Sequence, residues 1–141
     1  MVFLFVYGTL KRGFPLHESG LTGARFLGPY RTVNKYPLYV AGPWFTPMML
    51  DEPGVGVRVE GELYEIEDAR LPSLDAMEHI GKPGNLRVVI AIEPLIGGTL
   101  ISASVYLKDR KLATPLYTHY IDNYQDRRFI PPQDRDGLTR E

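Results

Sequence analysis

The chain has 141 residues, 44% of them hydrophobic and 23% charged, with a formal net charge of −1. That is enough apolar material for one core, and one domain over residues 1–141 is expected. The charge balance gives no general attraction to nucleic acid or to an anionic membrane, and a chain without cysteine has neither disulfides nor thiolate chemistry.

Val2-Phe3-Leu4-Phe5-Val6-Tyr7 is β-branched or aromatic apart from Leu4, and apolar on both faces. This predicts a short strand buried on both sides. The segment lacks the basic start and cleavage site of a secretory signal, and no run reaches the ~20 apolar residues of a membrane span. A cytoplasmic location is therefore expected. Gly8 ends the strand, and Lys11-Arg12-Gly13 reads as a polar loop.

Residues 25–33 suit a second strand, followed by a Gly- and Pro-rich loop over residues 41–47. Asp51-Glu52-Pro53-Gly54 is a strong turn signal. After it Val55, Val57 and Val59 alternate with polar or small residues, predicting a half-buried strand that runs on toward Tyr64. Over about residues 68–79 the period becomes helical, with Leu71, Leu74 and Met77 on one stripe and Pro72 acceptable in the first turn. Gly81 and Pro83-Gly84 are read as the stop.

Val88, Ile90 and Ile92 alternate again, and Gly97-Gly98 predicts a hairpin into residues 100–107. From about residue 112 to 141 the chain reads as an aromatic, proline-containing tail with Tyr117, Tyr120 and Tyr124. Strands outnumber helices. The expected class is α+β, a small mixed barrel-like sheet with one principal helix, its strands closing around a cavity.

Two places attract chemistry. At Tyr7-Gly8-Thr9-Leu10 a glycine directly after a buried strand lets backbone N–H groups turn outward as a concavity for a carboxylate or phosphate, with the Thr9 hydroxyl as a further donor. The plainer alternative is a strand end where Gly8 only permits the turn. Glu78 falls on the apolar stripe, four residues after Leu74, so its carboxyl takes a position expected to be buried. A buried carboxyl has a raised pKa and serves as a general acid or base near neutral pH. The alternative is a frayed helix end from which Glu78 reaches water. Asp75, one turn earlier, is expected to be exposed. His17, His79 and His119 have no metal-ligand spacing, no phosphate-binding or nucleophile-elbow motif occurs, and Lys11, Arg12, Arg127 and Arg128 read as solvated charge.

Val6-Tyr7-Gly8-Thr9-Leu10-Lys11-Arg12-Gly13 closely resembles the opening motif of the γ-glutamylcyclotransferase-like superfamily. Pro47-Met48-Met49-Leu50, Pro53-Gly54 and Val59-Glu60-Gly61-Glu62-Leu63-Tyr64 resemble its central turn and strand. Leu74-Asp75-Ala76-Met77-Glu78 is similar to the segment that carries its catalytic glutamate, and Arg128-Phe129-Ile130-Pro131-Pro132 to the ending of its γ-glutamylamine branch.

The resemblance implies a small mixed β-barrel with flanking helices, no metal, no cofactor, and release of 5-oxoproline from a small γ-glutamyl substrate. In that chemistry the nucleophile is the substrate's own α-amine, so the protein needs no serine or cysteine. Glu78 would be the catalytic acid and base, Tyr7, Gly8, Thr9 and Leu10 the substrate anchor, and Tyr106 a pocket wall, packing within a strand being its other reading. Lys82-Pro83-Gly84-Asn85-Leu86-Arg87 lacks a tyrosine that many relatives carry there, which bears on the leaving-group side. Three functions remain open: cyclisation of γ-glutamylamines, the same reaction on γ-glutamyl dipeptides, glutathione or an acylated natural product, or a non-catalytic carboxylate-binding module.

Overall fold

The computed structural model describes residues 1–135, so the last six residues of the expected tail lie outside the described residues. Strand β1 (Val2–Val6) is followed by a short helix α1 (His17–Leu21), β2 (Arg25–Thr32), a hairpin of β3 (Leu38–Ala41) and β4 (Thr46–Met49), and β5 (Glu60–Ile66). Helix α2 (Leu71–Met77), β6 (Asn85–Pro94) and β7 (Ile101–Lys108) complete the regular elements. Five strands close a barrel in the order β1-β5-β2-β6-β7, and β3 and β4 form a separate two-stranded sheet. Every neighbour in the barrel is antiparallel except β1 and β7, which meet in parallel at Leu4 and Ser104. The expected mixed barrel with one principal helix is what the chain forms.

Side-chain alternation explains why β1 reads apolar on both faces. Phe5 points into a cluster with Leu63, Ile90, Ile92, Ala103, Val105 and Leu107. Leu4 and Val6 point to the opposite cluster, with Leu21, Tyr64, Ile66, Leu74 and Tyr106 beneath the helices. Burial on both faces holds only from Leu4 onward, since Phe3 is 39% exposed. The barrel interior is filled by side chains, as in other small barrels. The space expected within the strands is instead a cavity at the rim.

Three further readings are corrected. The half-buried strand after the turn begins at Glu60, not Val55. Gly56 has φ 94° and lies against the Tyr36 backbone, so Val55 to Val59 bend to bridge Tyr36 through Val57. The segment read as a loop over residues 41–47 is a tight hairpin, with Gly42 at φ 79° and Phe45 at φ 55° between β3 and β4. Pro47 is tolerated there because a two-stranded sheet has only edges. The helix read over residues 68–79 is a 3₁₀ turn at Asp68–Arg70 followed by α2, with Pro72 in its first turn as expected.

Helix α2 ends before Gly81. His79 takes the left-handed conformation at φ 58°, its N–H donates to Ala76 O at 3.2 Å, and the Ile80 N–H donates to Asp75 O at 2.9 Å. This paired 5→2 and 6→1 arrangement is a Schellman cap, which holds Glu78 as the capping residue of an ordered terminus. Leu74, fully buried, anchors α2 on the barrel, and burying a leucine contributes about 1.5–3 kcal/mol.

Truncation there should be felt at both the fold and the site. Leu74→Ala is expected to lower stability in urea unfolding by about 2–5 kcal/mol. A loss below about 1 kcal/mol would mean that polar bonds, not this side chain, hold the helix.

Candidate active site

The parallel pairing of β1 and β7 brings their C-terminal ends to one rim of the barrel. A cavity of about 300 Å³ opens there, between that rim, the C-terminus of α2 and the β3–β4 hairpin. Tyr7, Gly8, Thr9, Leu10, Glu78 and Tyr106 all line it, so every candidate site residue converges on one space. Phe129, Pro132 and Arg135 of the tail line it too, so the tail forms part of the wall.

Gly8 is needed here for room. A Cβ on it would stand 2.6 Å from Pro47 Cγ, and its φ is not in the left-handed region. The loop is stitched by Lys11 N–H to Gly8 O at 3.0 Å, by Leu16 N–H to Thr9 O at 3.0 Å, and by a 2.9 Å contact between His17 Nδ1 and Leu10 O. His17 is thus half-buried and engaged with the loop. Among the described residues no acceptor takes the N–H groups of Gly8, Thr9 or Leu10, although all three residues are buried. Buried backbone donors are almost always paired. Three consecutive unpaired ones beside a cavity are a ready anion site.

Glu78 combines the two earlier alternatives: the helix does end at this residue, yet Glu78 is half-buried and lines the cavity. Burial pushes it above the usual carboxylate range, and the charge of Lys108 draws it part of the way back. Burial, together with the Glu78 charge, also pushes the Tyr7 hydroxyl up, so Tyr7 stays a neutral donor, bonded to the Tyr106 carbonyl at 2.6 Å.

Asp75 is not the free carboxylate expected. It accepts from the Tyr106 hydroxyl at 2.7 Å and from Arg87 Nε and Nη2 at 2.9 and 3.2 Å. Burial pushes its pKa up, but the Tyr106 and Arg87 hydrogen bonds outweigh that and hold it below the usual range. Asp75 therefore clamps α2 to β6 and β7. Tyr106 takes both roles weighed for it, packing in its strand and lining the cavity, with its hydroxyl raised by burial and by Asp75.

Sequence reasoning missed Lys108, the last residue of β7. It is 8% exposed, lines the cavity, and its Nζ donates to Asn85 Oδ1 at 2.6 Å. Burial lowers its pKa and Glu78 partly restores it. The available signal was a charge closing an apolar strand on the same alternate face as Tyr106. Asn85 comes from the segment that lacks the tyrosine. Lys11, expected in water, is instead 5% exposed and donates to Tyr124 O at 2.8 Å and Asn123 Oδ1 at 3.0 Å. Arg12 and Arg127 lie over the rings of Phe26 and Phe14 at 3.7 and 4.0 Å, and Arg128 pairs with Asp126, so these charges fasten the loop and the tail. Among the described residues no group of three or more His, Asp or Glu side chains could hold a metal ion, and no helix is long and apolar enough to cross a membrane.

The clamp gives a direct expectation. Tyr106→Phe should cost about 1 kcal/mol in chemical unfolding, the net value of one hydrogen bond. Because the folded Asp75 is held below its ordinary value of 3.8, its stabilisation is present above that value and is lost as pH falls through the lowered one. The difference between wild type and Asp75→Asn should therefore shrink on acidification. A difference that stays constant with pH would remove the ionic part of the clamp.

Comparison with known proteins agrees with this arrangement. The model of the family described as gamma-glutamyl cyclotransferase, AIG2-like, matches residues 4–126. A Bos taurus protein named gamma-glutamylaminecyclotransferase is 34% identical over 142 residues, covering 94% of this chain and 83% of that protein. An Arabidopsis thaliana relative is 43% identical over 96 residues, 63% of this chain, and the match spans only 50% of that relative's length. The crystal structure of an AIG2-like protein from Mus musculus superposes with a TM-score of 0.83 at 32% identity, covering 96% of this chain and 99% of that one. With the rim cavity, the closed mixed barrel and a family match across most of its length, the chain belongs to the gamma-glutamyl cyclotransferase, AIG2-like family.

Proposed function

We propose that the protein releases 5-oxoproline from γ-glutamylamines by intramolecular cyclisation. The observation that carries this reading is the pairing, in one cavity, of three backbone donors at Gly8, Thr9 and Leu10, unpaired among the described residues, with the half-buried Glu78, whose carboxyl burial pushes up.

The N–H groups of that loop hold the substrate's α-carboxylate, with the Thr9 hydroxyl as a further donor. Anchoring one end folds the γ-glutamyl chain so that its α-nitrogen reaches its own γ-carbonyl, replacing a chance encounter with a fixed approach. Glu78 in its ionised form takes a proton from the α-ammonium. The freed amine attacks, a C–N bond forms to close the five-membered ring, and the carbonyl oxygen becomes an oxyanion for the rim donors. Glu78 returns a proton to the departing nitrogen, and the original amide C–N bond breaks. The lactam nitrogen keeps one of the ammonium's three protons, and the other two end on the released ammonium.

Tyr106 supports the wall and, through Asp75, the helix that carries Glu78. The γ-glutamylamine choice is supported by the tail segment Arg128 to Pro132, whose Phe129 and Pro132 line the cavity, and by the name of the Bos taurus relative.

Glu78→Gln should retain binding of 5-oxoproline by calorimetry and lose about 10²–10⁴-fold in turnover of a γ-glutamylamine. In the wild type kcat/KM should rise with pH through the elevated Glu78 pKa, because the base works only when ionised. Full activity in Glu78→Gln would sink the assigned role.

A further inference from the structure

Lys108 is a buried cation that the reaction above does not use. An ammonium has three donors, and Asn85 Oδ1, a neutral acceptor, takes one of them. Glu78 is the charged group that acts on it, yet among the described residues no ion pair joins the two. A full charge with donors to spare thus faces a cavity whose walls include Phe5, Leu10, Trp44, Pro47 and Met77. Leaving a buried charge without a counter-charge is costly, and such a group is matched by whatever anion the site is built to receive.

Its position follows from the strand register. Leu4 of β1 pairs in parallel with Ser104 of β7, so four residues further on Gly8 and Lys108 leave the barrel at the same rim on neighbouring strands. The loop beginning at Gly8 already offers three N–H groups and a hydroxyl, which suffices for one carboxylate. Lys108 is surplus to that anchor, and Asn85, which holds it, shares the cavity with Glu78 and belongs to the segment that bears on the leaving-group side. Among the described residues the charged side chains lining the cavity are Glu78, Lys108 and Arg135, one acid against two cations, with His79 beside them held toward its neutral form by burial. A substrate with a second carboxylate would balance them.

We infer that Lys108, held in place by Asn85, is a specificity-determining residue that receives a carboxylate carried by the leaving half of the substrate. The inference rests on the cyclotransferase reading and narrows it. The preferred γ-glutamyl amides are those whose released amine is itself an amino acid, in preference to simple alkylamines or neutral amides.

Two isosteric pairs test this: γ-glutamylglycine against γ-glutamylglycinamide, and Nε-(γ-glutamyl)lysine against its α-carboxamide. Release of 5-oxoproline is measured for wild type, Lys108→Met, Lys108→Gln and Lys108→Arg, with thermal unfolding of each variant as a check on folding. The wild type should favour the acid over the amide by about tenfold in kcat/KM in at least one pair, the value of one hydrogen bond to a charged group. That preference should vanish in Lys108→Met and in Lys108→Gln, which keeps a donor for Asn85, and should survive in Lys108→Arg. No acid preference in the wild type, its persistence in both neutral variants, or an equal loss on acid and amide would each overturn the inference. If the wild type forms no 5-oxoproline from any of the four, the cyclotransferase reading fails separately. Calorimetric binding of the same pairs to Glu78→Gln, with and without Lys108→Met, then still decides whether Lys108 reads a carboxylate.

Discussion

The parallel contact between β1 and β7 is the constraint on which the rest of the molecule depends. All other strand neighbours are antiparallel, and this one pairing closes the barrel. Because the two strands run the same way, both release their following residues at one rim, and the anchoring loop, Tyr106 and Lys108 meet there. The Tyr7 hydroxyl bonded to the Tyr106 carbonyl is a lateral tie between these strand ends. An antiparallel closure would send the loop and Lys108 to opposite ends, and no single cavity could hold both.

Around that rim, polar groups are arranged in two opposed ways. Asp75, Tyr106 and Arg87 satisfy one another, which fixes α2 and keeps Asp75 ionised. Glu78, three residues later at the cap of the same helix, has no such partners among the described residues, and burial raises its pKa. Two carboxyl groups one turn apart thus acquire opposite character from their surroundings. The Schellman cap makes this stable, since an unravelled terminus would release Glu78 to solvent.

The tail completes the enclosure from a distance. Residues after β7 run beside β3, with Tyr117 N–H bonded to Val40 O and Ile121 N–H to Leu38 O. Tyr124, fully buried against Phe14, and the Lys11 bonds to Asn123 and Tyr124 then fasten the tail to the loop that follows the anchoring segment. Phe129, Pro132 and Arg135 reach the cavity as a consequence. One segment therefore secures the loop and forms part of the wall.

Local pattern was enough for the elements whose signal is periodic. The strand at Val2, the strand near Arg25, the Gly97-Gly98 hairpin and the helix through Leu71 and Leu74 each follow from side-chain spacing, and the family-like motifs singled out Glu78 and the Tyr7-to-Leu10 loop. The sequence by itself determined these because apolar periodicity and turn residues act within a few positions. Only the tertiary structure decided what depends on distant partners. Pro47 sits in a strand because a two-stranded sheet tolerates it, and Val55 to Val59 bend because Tyr36 meets Gly56. Lys11 is buried because the tail supplies carbonyl and amide oxygens more than a hundred residues away. Lys108 shares a cavity with Glu78 because barrel closure brings β7 to that rim, and no local pattern encodes a site whose two halves are brought together only by the fold.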